Sequence, residues 1–336
     1  MLAPAHEGHG PREAATSVAG RRPASVRRTS QLDLSTPSGP DGQLVLHGSA
    51  RDLWTAPDGS AVELGAAELE ATVELSGRPV VAALRTRPEL PALTGLVGVP
   101  ALSGFRAAVD AAVPGEAASR TPAHALLDDI PGAVVISGYT WVVGPLAGSP
   151  PPGRTPPADV CSGWRSGGTM MLAIGRTGTM PRLSGPAAPP LADGEDPAGW
   201  HPMPPLAAGD MRRRRLMDVV RDGDVLRVEA MFRDTHVDAD GDESVVHEYG
   251  LSAVVSADRL ELLAVAAEPR VLPWQECPMA AGSAAALVGR TVGTLGQHVR
   301  GELSGTSSCT HLNDLLRSLD DVSALAAAGG SRPGLP

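Results

Sequence analysis

The sequence contains no lysine; all 28 of its basic side chains are arginine. A Walker-type phosphate loop and a Schiff-base enzyme both need a lysine, so P-loop nucleotidases and pyridoxal-phosphate enzymes are excluded. Aromatic residues are scarce as well, with Trp 5, Tyr 2 and Phe 2 in 336 residues, too few for the stacking platforms of single-stranded nucleic-acid binders. The 38 acidic side chains leave a net charge of -10, which also argues against a nucleic-acid partner. No apolar run approaches the roughly 18 residues of a membrane span. His6, Glu7 and His9 precede Arg21 without an apolar segment between them, so neither a membrane partner nor a secretory signal is expected. Three cysteines do not make a disulfide framework; in the cytoplasmic setting these features suggest, they are free, catalytic or metal-bound.

What is present is a 42% hydrophobic fraction dominated by Val, Leu and Ala, enough to bury a core. Residues 1–26 are rich in Ala, Gly, Pro and Arg without periodicity and read as a disordered tail. Residues 145–205 read as a Pro/Gly-rich linker, with Pro150, Pro151 and Pro152 in a row, interrupted by a denser island from Asp159 to Trp164. That leaves two folded units, 27–144 and 206–328, and a short tail, 329–336.

The two units share an ordered set of motifs. Arg51-Asp52, five residues and Asp58-Gly59 match Arg233-Asp234, five residues and Asp240-Gly241. The same offset carries Leu69, Ala71 and Val73 onto Leu251, Ala253 and Val255. Arg27-Arg28 precedes one set as Arg212 to Arg215 precede the other, and Leu96-Val97-Gly98 recurs as Leu287-Val288-Gly289. The expectation is an α+β tandem duplication. Each copy would hold an antiparallel three-stranded sheet followed by helices packed on one face. In the second copy, Leu226 to Phe232, Val245 to Val255 and Leu260 to Val265 alternate as strands. Met279 to Leu287, Thr291 to Leu303 and Cys309 to Ala327 carry helical periodicity, the last capped by Ser307 or Ser308.

Residues held by only one copy are candidates for chemistry. His236 faces Trp54, Asp238 faces Ala56, His247 faces Gly65 and Cys309 faces Pro122, while Cys277 lies in a segment the first copy lacks. Thiolate and imidazole together are ligands of zinc and iron–sulfur sites. The metal set is therefore Cys277, Cys309 and His311 with one of His247, His236 or Asp238. Both cysteines are expected at helix starts, where the helix dipole lowers a thiol pKa. Two other readings stand beside it: Cys309 or Cys277 as a nucleophile activated by His311 in acyl transfer or thioester hydrolysis, or a structural module in which these residues only pack. Cys161, beside Trp164, is a fourth ligand or a hydrophobic clasp. Arg212 to Arg215 read as the solvated start of a strand. Asp238-Ala-Asp240-Gly241 has histidines where a calcium loop needs oxygen ligands, and reads as a polar hairpin.

Two family resemblances follow from these residues. Ala50-Arg51-Asp52-Leu53, Trp200-His201-Pro202, the arginine run, Val246-His247-Glu248-Tyr249, Leu272-Pro273-Trp274 and Cys309-Thr310-His311-Leu312-Asn313 look like the bacterial family catalogued as domain of unknown function 2889, which implies no activity. The second copy, with a cysteine after its third strand, Leu287-Val288-Gly289-Arg290-Thr291 between helices and a Cys/His pair before the last helix, is similar to iron–sulfur scaffolds of the NifU/IscU type. That resemblance implies a scaffold or carrier serving a metal-cluster client protein. Cys277, Cys309 with His311, and His247 or Glu248 would stand at the ligand positions. The pair here is Cys-x-His rather than His-Cys, and the family's first cysteine is missing, so zinc on Cys and His fits the residues better than a three-thiolate cluster.

Overall fold

The computed structural model describes residues 9–39, 42–140, 158–181, 183–191 and 196–330. The Pro150 to Pro152 run and parts of both expected tails lie outside the described residues. Alternating side chains build β1 (Ser25–Ser35), β2 (Gln43–Thr55), β3 (Ala61–Glu74), β4 (Val80–Arg87), β5 (Met211–Asp222), β6 (Val225–Val237), β7 (Glu243–Ser256) and β8 (Leu262–Val271). All pair antiparallel in one sheet of order β4-β3-β2-β1-β5-β6-β7-β8. This corrects the expected tandem three-stranded sheets. The α+β character stands, but the described residues form a single eight-stranded sheet, to which each half gives four strands, and β1 against β5 forms its centre.

The strand missing from the sequence reading in the second half is the arginine run itself. Arg212 to Arg215 are buried or nearly so within β5, where solvated side chains were expected. Every one of them has an acidic partner, which offsets the cost of taking a guanidinium out of water. Arg212 pairs with Asp33, Arg213 with Asp234, Arg214 with Glu243 and Arg215 with Asp129. The turns expected at Asp58-Gly59 and Asp240-Gly241 close the β2–β3 and β6–β7 hairpins. Gly59 and Gly241 take φ of +85 and +89 there, a region glycine enters without steric cost.

Helices cover one face: α1 (Phe105–Ala112), α2 (Pro114–Ser119), α3 (Pro122–Ser137), α4 (Thr169–Thr177), α5 (Leu295–Glu302), α6 (Thr310–Ser318) and α7 (Val322–Gly330). The helix expected over Cys309 to Ala327 is two helices joined by a 3-10 turn at Leu319–Asp321. The Asp320 carboxylate in that turn accepts the N–H groups of Gly293, Leu295 and Gly296, so it is drawn toward the start of α5. Met279 to Leu287 forms part of a 3-10 helix, Cys277–Leu287. None of the helices among the described residues is long and apolar enough to cross a membrane.

Under the helices lie two apolar clusters. One is centred on Leu32, Leu46, Phe105 and Ile130, the other on Val228, Phe232, Tyr249 and Leu315. Between them runs a buried ionic layer. Arg28 of β1 is held by Asp52 and by Asp321 of the second half; Arg213 of β5 is held by Asp234 and reaches Asp129 of the first half. The opposite face is covered by extended chain, with Trp200, Leu191, Val18 and Met203 packed on Leu216 and Met231. Residues 9–24, read from sequence as tail, lie here, with the Glu13 N–H on the Arg270 carbonyl and the Ala15 N–H on Glu248.

Gly132, midway along α3, is what lets Arg213 lie against that helix. A Cβ there would stand 2.1 Å from Arg213 Nη1 and 2.8 Å from Asp314 Oδ2. Gly132→Ala is expected to destabilise the fold by about 1–3 kcal/mol, as overpacking does, despite the better helix propensity of alanine. Urea unfolding measures this, and a stabilised variant would show that Arg213 moves aside at no cost.

Candidate functional site

The register of β6 with β7 shifts between Asp234 and Thr235, where Val246 of β7 is an extra residue without a partner in the ladder. The bulge leaves Asp234 directly across from His247. His311, in the first turn of α6, stacks on His247 with ring centroids 3.8 Å apart. The donor atoms of Asp234, His247 and His311 all lie within 4.8 Å of one another, the only group of three ligand-type residues of this kind among the described residues.

The electrostatics of these groups are set from below. Asp234 is fully buried. Burial alone would raise its pKa, but Arg213, at 2.8 Å and 3.1 Å from its two oxygens, and His247 together hold the carboxyl well below the usual range. His247 Nδ1 lies 3.4 Å from Asp234 Oδ2 without good hydrogen-bond geometry. Burial, then the neighbouring His247, depresses His311 well below an ordinary histidine, so its ring is neutral at pH 7. Its Nε2 is buried with no hydrogen-bond partner among the described residues, and its Nδ1 stands 3.9 Å from Cys309 Sγ.

The two histidines and the three cysteines line one cavity of about 520 Å³. Cys309 is the N-cap of α6 and Cys277 is the first residue of its 3-10 helix, so both lie at helix starts as expected. The lowered thiol pKa does not follow. Burial pushes Cys309 up to about 11 and Cys277 well above its ordinary value, because desolvating a thiolate outweighs the field of a short helix end. The Cys161 island returns to this region. The Ser162 N–H bonds to the Ser308 carbonyl at 2.9 Å, and Gly163 lies so close to Cys277 that a Cβ would come within 2.6 Å of its sulfur.

Of the residues singled out from sequence, His247, His311, Cys277 and Cys309 thus come together. His236 does not join the donor group; it is buried on β6 with its ring edge-on to Tyr139 at 5.5 Å. Asp238 is exposed and accepts the N–H groups of Asp240 and Asp242 within the hairpin turn. Glu248 is committed to the buried Arg233. The residue sequence reasoning missed is Asp234. It was read only as half of the repeated Arg-Asp pair, although its counterpart Asp52 likewise takes a buried arginine, Arg28, beside a bulge.

Thiol reactivity separates the readings. In the native protein iodoacetamide at neutral pH is expected to modify the half-buried Cys161 before Cys309 and Cys277, which should resist until the chain unfolds. Peptide mapping of a time course checks this; prompt, selective modification of Cys309 would favour a nucleophile.

Residues 211–325 match the model of a family described as "Protein of unknown function (DUF2889)". No curated protein matches the chain. Among solved structures, the "Crystal structure of lipopolysaccharide binding protein" aligns at 10% identity over 73% of this chain and 68% of that chain, with a TM-score of 0.13, a likeness that carries no argument. The family match runs from the start of β5 into α7, and so contains Asp234, His247, Cys277, Cys309 and His311, while Cys161 and Asp129 lie outside it.

Proposed function

We propose that the chain is a metal-binding protein whose ion, of the zinc class, is held by Asp234, His247 and His311, with Cys309 beside them. The observation that carries this reading is the grouping of two stacked imidazoles, both lining a cavity, with the buried Asp234 carboxylate. The residues fit such an ion. His311 is kept neutral, as an imidazole ligand must be, and its Nε2 has no other partner among the described residues. Asp234 gives two hydrogen-bond sites to Arg213, but a carboxylate has about four lone-pair directions, so donor capacity remains. Ligand atoms on one zinc lie at most about 4 Å apart given bonds of about 2.0–2.2 Å, so modest side-chain rotation closes the set.

An oxygen and two nitrogens suit zinc better than the thiolate-rich environment of an iron–sulfur cluster. Three protein ligands with an open fourth position would supply Lewis-acid chemistry. Competition with a chromophoric chelator tests the reading. One equivalent of zinc is expected on the wild type and on His236→Ala, with affinity lost in His311→Ala and reduced about 10–100-fold in Cys309→Ala, as when a supporting group is removed. A wild-type protein that takes no zinc overturns it.

A second reading rests on the Cys309–His311 contact. A thiol 3.9 Å from an imidazole that is stacked on His247, with Asp234 behind, has the order of a nucleophile, base and orienting acid. The raised thiol pKa weighs against it.

A further inference from the structure

Beyond its polar corner, the cavity is apolar. Leu75, Val134, Met170, Leu183, Leu272 and Trp274 contribute to its walls, and among the described residues no arginine, aspartate or glutamate lines it. It draws on both halves of the sheet and on the segment carrying Trp164 and Met170, and it includes Leu102 and Val135, hydrophobic side chains that are 36% and 44% exposed. Its volume of about 520 Å³ lies within the range of about 300–1,000 Å³ in which pockets enclose small organic ligands. Among the described residues the titratable groups on its surface are Tyr139, the three cysteines, His247 and His311.

We infer that this cavity binds an amphiphilic monocarboxylate, with its aliphatic or aryl body in the apolar chamber and its carboxylate at the open position beside His247 and His311. The inference rests on the metal reading of Asp234, His247 and His311. The body follows from the walls, since apolar surface removed from water is the main source of affinity in such a chamber. The head follows from charge. With Asp234 already neutralised by Arg213, a divalent ion would leave this corner cationic, and an anionic oxygen ligand suits a hard or borderline ion. Among the described residues no cationic side chain lines the cavity, so without the ion a carboxylate entering it would find no charged partner among them. Carboxylate binding is therefore metal-dependent, whereas binding of the apolar body alone is not.

The test titrates decanoate and 1-decanol into the zinc-loaded and the metal-free full-length protein, reading tryptophan fluorescence and heat, with zinc affinity measured separately. Decanoate is expected to bind the zinc form at least about tenfold tighter than the metal-free form, a difference of about 1.4 kcal/mol, while decanol binds both alike. Met180→Trp, which adds bulk at a partly exposed position of the wall, is expected to weaken decanoate by about tenfold or more and to leave zinc affinity unchanged. Zinc binding with no decanoate binding, or with decanoate insensitive to zinc, overturns the carboxylate inference and leaves the metal reading intact. Failure of zinc to bind overturns both. His311→Ala, whose circular dichroism reports whether it has folded, separates loss of the site from loss of structure.

Discussion

Arg213→Met is expected to unfold at much lower urea than the wild type, with a loss of about 3–5 kcal/mol, the cost of removing one partner from a buried ionic cluster. Arg213 is 1% exposed and touches three carboxylates. It holds Asp234 through two nitrogens and reaches Asp314 at 3.2 Å and Asp129 at 3.4 Å. Asp129 and Asp314 keep Arg215 and Arg106 respectively, but among the described residues Asp234 keeps only His247. A lone carboxylate would then sit at zero exposure between two strands. Arg213→Lys is expected to recover little, because one ammonium cannot hold both Asp234 oxygens and still face the helices. A loss below about 1 kcal/mol in Arg213→Met, an ordinary substitution cost, would show that the layer contributes no stability.

The second large effect is on acid. Burial first, then Arg51 and Arg212, pushes His201 down to about 4, and burial likewise lowers His236 and His311. A histidine with a depressed folded pKa stays neutral while the unfolded chain takes a proton near pH 6.5. Stability therefore falls as pH drops below about 6.5, by up to about 1.4 kcal/mol per pH unit for each such group. Asp128, Asp234 and Asp314 add a second decline. Burial raises each, but their arginine neighbours win and lower them. Their contribution is present above the ordinary carboxylate range and lost as pH falls below about 4 through their folded values. Asp218 and Asp321, raised by burial, act in the opposite sense and blunt this second stage. Urea midpoints of the metal-free protein should drop between pH 7 and pH 5, less steeply in His201→Asn. A midpoint that is flat across that interval would mean these rings are protonated in the fold.

The hairpins of the second half were legible because Asp240-Gly241 punctuates alternating Leu226, Val228, Val245 and Val255. Strand β5 was not, because four consecutive arginines hide their alternation. Arg213 and Arg215 face the helices while Arg212 and Arg214 face the covering segments, and what makes both faces tolerable is carboxylates far away in sequence. The same non-locality explains the single sheet, since nothing local to Arg27 or Arg212 shows that their partners are Asp218 and Asp33. At the candidate site, the Cys and His residues stood out by type and by position in only one half. Asp234 did not, because aspartate before a hairpin turn is commonplace. His236 and Asp238 also stand out as residues that only the second half carries, a criterion that is blind to direction: one side chain packs on Tyr139 and the other closes the hairpin turn.

The seam between β1 and β5 also works as an alignment key. Arg27 lies across from Asp218 and Asp33 across from Arg212, each pair joined through two nitrogens and two oxygens. A slip of two residues would keep every side chain on its face yet place Arg27 opposite Leu216 or Val220, breaking both clasps together. Hydrophobic pattern alone would not forbid that slip; the charges do. During synthesis β1 is made long before residues 211–222 exist to cover it, and a completed first half would present it as an open edge. Arg27, Arg28 and Asp33 are the kind of side chains that discourage a bare edge from pairing with other chains, so the residues that later lock the two halves in register first guard the strand while it waits.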